Sequence, residues 1–123
     1  MTPDQLWQRY ADLWSTQAKD DSPEFAACLH EDCRYCDPNG LVTGRRALAD
    51  YMAHFRQAMP GASFRIAGVA AHNGRTLSEW RLHAVDGAVL QTGRSFAQHD
   101  EQGRLRDITG FFDPQPAAGP RPA

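Results

Sequence analysis

What the chain lacks narrows the reading first. Lys19 is its only lysine, and 13 basic residues nearly balance 15 acidic ones, leaving a net charge of −2. That balance gives no electrostatic footprint for nucleic acid or an anionic membrane surface. No apolar run approaches the ~20 residues that a membrane span needs. The opening segment MTPDQLWQRY has neither a basic n-region nor an apolar h-region, so no export signal is expected and the protein is expected in the cytoplasm. Cysteines number three, an odd count that argues against a full disulfide framework. Glycine-rich phosphate loops, a Ser-His-Asp arrangement and HExxH are missing. What remains is 123 residues, 41% hydrophobic and 23% charged, enough for one soluble domain with a core.

Thr2-Pro3 is a helix-start pair, and Leu6, Tyr10, Leu13 and Trp14 recur at helical spacing, predicting a first helix to about Ala18. Asp21-Ser22-Pro23-Glu24 resembles a capping box with Asp21 as N-cap, opening a short helix to about His30. A strand from Cys33 to Cys36 runs into the turn Asp37-Pro38-Asn39-Gly40. Gly44 precedes a third helix with an apolar face of Ala47, Leu48, Tyr51, Met52 and Phe55, ended by Met59-Pro60-Gly61.

From Phe64 the period changes to two. Strands are predicted at 64–72, 76–84, 89–99 and 104–112, joined by Asn73-Gly74, Val85-Asp86-Gly87 and Glu101-Gln102-Gly103. Helices followed by a meander of strands make an α+β fold, one domain over residues 1–113. Residues 114–123, PQPAAGPRPA, are expected to be a disordered proline-rich tail. The late strands carry apolar side chains on both faces: Trp80 and Leu82 alternate with Leu77, and Leu90 and Phe96 with Val89 and Ala97. One face should pack on the helices; a second subunit in a homodimer is the simplest cover for the other.

The stretch from Cys33 to Met52 organises the candidate chemistry. It places a carboxylate, Asp37, where a strand ends and a helix is about to cover it, which predicts a pocket with an acid in it. Asp37 is either a general base for proton abstraction beside a carbonyl or a local cap for its own turn. Cys28, His30, Cys33 and Cys36 superficially resemble zinc ligands. Cys33 and Cys36, however, stand at odd separation on a strand and point to opposite faces. Buried free cysteines and no metal are the better reading. His54, His72 and His99 fall at helix or strand-end positions expected to be exposed.

Four segments, QRYADLW, YCDPNGLVTGRRAL, SEWRL and DEQGRLRDITGFFD, together resemble the SnoaL-like group of the nuclear transport factor 2-like superfamily, over about Leu6 to Asp113. That group includes polyketide cyclases and resembles ketosteroid isomerase. The resemblance implies a cystatin-like cone, a curved mixed sheet wrapped around N-terminal helices with an apolar pocket at its mouth, and frequent homodimers through the outer sheet face. It implies Asp37 as general base, Tyr10 as an oxyanion donor, and Ser95 at or beside the second donor position, where the isomerases carry an Asp. Trp14, Phe55, Trp80, His83, Arg94 and Phe111 are read as candidate substrate contacts. For Trp80 and His83 the strand parity leaves open which of the two faces the pocket.

Two functions stay open. One is a cofactor-free isomerase, cyclase or dehydratase acting on a small apolar carbonyl compound. The other is a non-catalytic module that holds a hydrophobic ligand or serves assembly. The scaffold hosts both, so only the geometry around Asp37 and Tyr10 can weigh them.

Overall fold

The computed structural model describes residues 1–114, so the proline-rich tail lies, after its first residue, outside the described residues. In chain order the elements are α1 (Pro3–Asp12), α2 (Pro23–Cys28), β1 (Leu29–Asp37), β2 (Gly40–Thr43), α3 (Arg45–Ala58), β3 (Ser63–His72), β4 (Arg75–His83), β5 (Val89–His99) and β6 (Leu105–Phe112). The strands form one open, curved sheet in the order β2-β1-β6-β5-β4-β3. β3 to β6 are the expected antiparallel meander, while β1 pairs with β6 in parallel, which makes the sheet mixed. Asn73 and Gly74 adopt φ of 47° and 72° at the β3–β4 turn, the two positive values that a tight hairpin of this twist demands. Among the described residues no helix is long and apolar enough to cross a membrane.

Three boundaries differ from the sequence reading. α1 stops at Asp12 because the next amides bond three residues back: Leu13 to Tyr10 and Trp14 to Ala11. That tighter turn still delivers Trp14 to the core, 6% exposed. The cap of α2 is Ser22, whose hydroxyl accepts from the Phe25 amide. Pro23 directly follows that cap, and Glu24 reaches across to Arg9 of α1 instead of closing a box. The first strand is longer than expected, nine residues, and Leu41-Val42 belongs to a short partner strand, β2.

Inward residues of the sheet, Leu29, Cys33, Ala97, Leu105 and Ile108, pack under Trp7 from α1 and under Leu48 and Met52 from α3. Cys33 is buried there, while Cys36 turns to the other face and meets Thr109 at 3.6 Å, as strand parity predicts. Burial pushes the Cys28 and Cys33 thiols up to about 11, as expected of inert core cysteines. His99 departs from the expectation of exposure. It is half-buried, with Nε2 2.7 Å from Thr76 Oγ1 and Nδ1 2.8 Å from the Gly103 carbonyl, and the Trp7 indole donates to the same threonine.

The β5–β6 turn carries a pH-dependent element. Asp100 accepts from the amides of Gln102 (2.9 Å) and Arg104 (2.8 Å) and from Arg104 Nε (2.7 Å). Burial pushes its carboxyl up, but the Arg104 amide, the Arg104 guanidinium and the Gln102 amide outweigh it and hold the group below its ordinary value. A carboxyl depressed on folding stabilises the protein above its unfolded pKa, and that contribution is lost as pH falls through the folded value, below about 4. The melting temperature should therefore decline below about pH 4, and Asp100→Asn should flatten that decline in a pH series of thermal melts.

Candidate functional site

α1 lies along β3 and α3 lies over β1 and β2, so the two long helices cover opposite ends of the curved sheet. Between them the concave face holds a cavity of about 630 Å³. Its wall is aromatic. The Trp14 ring meets Tyr35, Tyr51, Phe55 and Phe64 with centroids 5.2 to 5.9 Å apart, and Phe64 continues through Trp80 to Phe112. Among the described residues no lysine or arginine lines the cavity. Its ionisable lining groups, apart from tyrosines, are Asp37 and, exposed on α3, His54.

Asp37 is the last residue of β1, paired with Gly40 across a two-residue turn. Its Oδ1 accepts from the amides of Asn39 (2.8 Å) and Gly40 (3.1 Å), so the carboxylate does cap its own turn. It does more than that. Tyr51 of α3 donates to Oδ1 at 2.6 Å, and Tyr35 of β1 donates to Oδ2 at 2.7 Å. All four partners are donors, as an acceptor-only carboxylate requires. Oδ1 is saturated, whereas Oδ2 holds one bond and keeps a lone pair for another partner. Burial first, and the bond to Asp37 next for Tyr51, push both phenols well above their ordinary value, so both stay protonated donors. Gly40 makes this possible by its missing side chain rather than by a positive φ: a Cβ there would stand 2.8 Å from Tyr51 Cε1.

Tyr10 sits on the inward face of α1, 4% exposed, and lines the same cavity. Its hydroxyl is buried; among the described residues the Trp14 side chain, a donor only, is the one group that approaches its oxygen, and its proton meets no acceptor. An unmade bond at a buried donor costs about 1–3 kcal/mol, so such a group in a cavity wall calls for an explanation. Burial pushes its phenol well above the ordinary value, against the Trp14 side chain, which pulls it down, and with Asp37 among the lesser contributors, so it remains a protonated donor at neutral pH.

Ser95 lies on the cavity floor, its Oγ accepting from Trp80 Nε1 at 3.0 Å. That leaves the serine proton free to be donated. Trp14, Phe55 and Trp80 also line the cavity as expected from sequence. Three candidate contacts do not. His83 holds the β4–β5 turn, with Nδ1 3.0 Å from the Gly87 carbonyl. Arg94 and Phe111 lie opposite one another on the outer sheet face, both exposed. The reason is parity: Gly93 and Ser95 face inward on β5, so Arg94 faces out, and Phe112 rather than Phe111 reaches the cavity. Tyr35, Tyr51, His54 and Gly110 were missed. Tyr51 and His54 are one turn apart on α3, and the apolar spacing of that helix already put Tyr51 on the covered face.

Residues 7–113 match the SnoaL-like domain family. Among solved structures, a SnoaL-like family protein of Agrobacterium tumefaciens, provisionally designated an isomerase, is 26% identical with a TM-score of 0.80, covering 89% of this chain and 96% of its own. A Kribbella flavida protein provisionally designated a ketosteroid isomerase is 25% identical with a TM-score of 0.69, over 98% of this chain and 82% of its own. A Methylobium petroleophilum protein with a cystatin-like fold is 15% identical with a TM-score of 0.69, over 97% and 82%, and shares the fold alone. No curated protein matches the chain.

Proposed function

The chain belongs to the SnoaL-like family, and we propose that it is an acid–base enzyme acting on an apolar, enolisable carbonyl compound with its own side chains alone. The observation that carries this reading is the buried Tyr10 hydroxyl, whose proton meets no acceptor, in the wall of the apolar cavity that also contains Asp37. In the proposed reaction Asp37 Oδ2 takes a proton from the carbon next to the carbonyl. The C–H electron pair moves into the new double bond, the carbonyl π pair moves onto oxygen, and Tyr10 donates a hydrogen bond to that oxygen. Asp37, now a carboxylic acid, returns the proton to another carbon of the enolate. Tyr35 and Tyr51 hold the carboxylate in one orientation throughout, which is the preorganisation such a step needs. A lining with no lysine or arginine among the described residues favours uncharged substrates over anionic ones.

The test needs no knowledge of the natural substrate. Exchange of α-protons for deuterium in α-tetralone and related apolar ketones can be followed by NMR. Tyr10→Phe should slow exchange by about 10²-fold, the loss expected for one oxyanion donor. Binding of these ketones with no exchange by the parent, and unchanged binding by Tyr10→Phe, would instead mark a carrier of hydrophobic ligands.

A homodimer through the outer sheet face is proposed with this function. Leu77 and Phe96 stand side by side there, and the next row is Glu79, Arg94 and Phe111. A row carrying both signs of charge beside an apolar strip lets the patch pair with itself about a two-fold axis. Sedimentation at micromolar concentration should give about twice the 13.7 kDa chain mass, and Phe96→Glu should give the monomer.

A further inference from the structure

Three glycines stand on or beside the cavity, and two are filled by protein. Gly40 admits the Tyr51 ring, and Gly93 admits the Trp80 indole, whose Cε2 would lie 2.7 Å from a Cβ there. Gly110 differs. It is buried in β6, faces the cavity, and no side chain enters the space its Cβ would take. A Cβ at that point would sit 3.4 Å from Ser95 Oγ, 3.6 Å from Asp37 Cβ and 3.7 Å from Tyr35 Oη, so the bare Cα looks out between all three. The sheet explains the notch. Ser95 on β5 is the register partner of Gly110. Cys36, which precedes Asp37 on β1, is the partner of Thr109, which precedes Gly110 on β6. This row of small side chains ends at the carboxylate. Rows of bulk flank it: Trp80 and Phe112 across Gly93 on one side, Ile108 beside Tyr35 on the other.

We propose that Gly110 is the seat of the reacting group and the position that sets substrate specificity. The ligand's reacting carbon packs against the bare Cα of Gly110, an approach that a Cβ would block, with the Ser95 hydroxyl on one side and Asp37 on the other. The role of Asp37 in this assignment rests on the acid–base reading above. Close approach to this bare stretch of backbone suits a reacting carbon that carries no alkyl substituent and turns away one that carries an alkyl branch beside its acidic hydrogen. Branched substrates are thereby excluded at the reacting end while the aromatic wall tolerates variation elsewhere.

Gly110→Ala is the test, because its Cβ makes no contact under 3.4 Å and the fold is not strained. α-Naphthol, the flat aromatic counterpart of the enol of α-tetralone, is titrated against parent and variant by quenching of tryptophan fluorescence. The parent should bind it and Gly110→Ala should bind it about 10–200-fold more weakly, the scale on which one methyl decides fit in an apolar site. The variant's melting temperature and circular dichroism should match the parent's. Equal binding by the two proteins, or no binding by the parent, overturns the assignment. Binding that depends on Gly110 in a protein inert in α-proton exchange would keep the seat and sink the acid–base reading. Exchange by the parent that Gly110→Ala leaves untouched would keep that reading and overturn the seat.

Discussion

Asp37→Asn is expected to slow α-proton exchange by about 10²–10⁴-fold, the range for removing a positioned general base, with little loss of stability. The amide is nearly isosteric with the carboxylate. Its oxygen can still accept from the Asn39 and Gly40 amides and from Tyr51, so the turn and the α3 contact survive. Only the basic lone pair on Oδ2 is lost, replaced by an N–H that Tyr35 can meet with its own oxygen. Asp37→Ala should behave differently. It strips four donors of their acceptor, two of them the phenols of Tyr35 and Tyr51. Leaving a buried donor unpaired costs about 1–3 kcal/mol, so Asp37→Ala should melt several degrees lower. The pair separates the two roles that sequence left open for this residue. If both variants lost stability and neither lost exchange activity, Asp37 would be a turn cap and nothing more.

Sequence leaves turn cap and general base as alternatives for Asp37, and the geometry contains the first without excluding the second. Asp37-Pro38-Asn39-Gly40 revealed the carboxylate because turn chemistry is local and written in four consecutive residues. The tyrosine clamp was not legible, because Tyr35 and Tyr51 reach Asp37 only once β1 and α3 are packed together. The same distinction separates the other hits from the misses. Element types were legible throughout, since alternation and helical spacing persist over many residues. Faces were legible only where parity could be anchored. Anchoring β5 at Ser95 would have sent Arg94 outward, and the same count on β6 from Gly110 exchanges Phe111 for Phe112. Register shifts between Leu82 and His83 and between Gln98 and His99 then break a simple count along β4 and β5. Glycines were least legible of all. Gly40, Gly93 and Gly110 matter for what occupies their empty space, and no sequence pattern records that.

Gly93→Ala is expected to have the largest effect on stability of any single methyl added to this protein. Gly93 faces Trp80 on one side and Phe112 on the other in the sheet register. A Cβ there would drive into the six-membered ring of the Trp80 indole and into the backbone carbonyl of Phe111, both far inside van der Waals contact. The carbonyl belongs to the neighbouring strand and cannot rotate away, so relief must come from strand displacement together with a new indole rotamer. Overpacking of this kind costs about 1–3 kcal/mol and sometimes more. Moving the indole also breaks its bond to Ser95 Oγ, leaving the Trp80 N–H to find another acceptor. Trp80→Phe in the same chain tells the two contributions apart. Phenylalanine lacks the second ring, so Gly93→Ala should cost less in that background, and the difference measures the indole clash. What remains is the clash with the Phe111 carbonyl. Thermal melts of the four proteins close the cycle. A Gly93→Ala variant as stable as the parent would mean that Trp80 does not lie over β5, and with it would go the placement of Ser95 as a donor on the cavity floor.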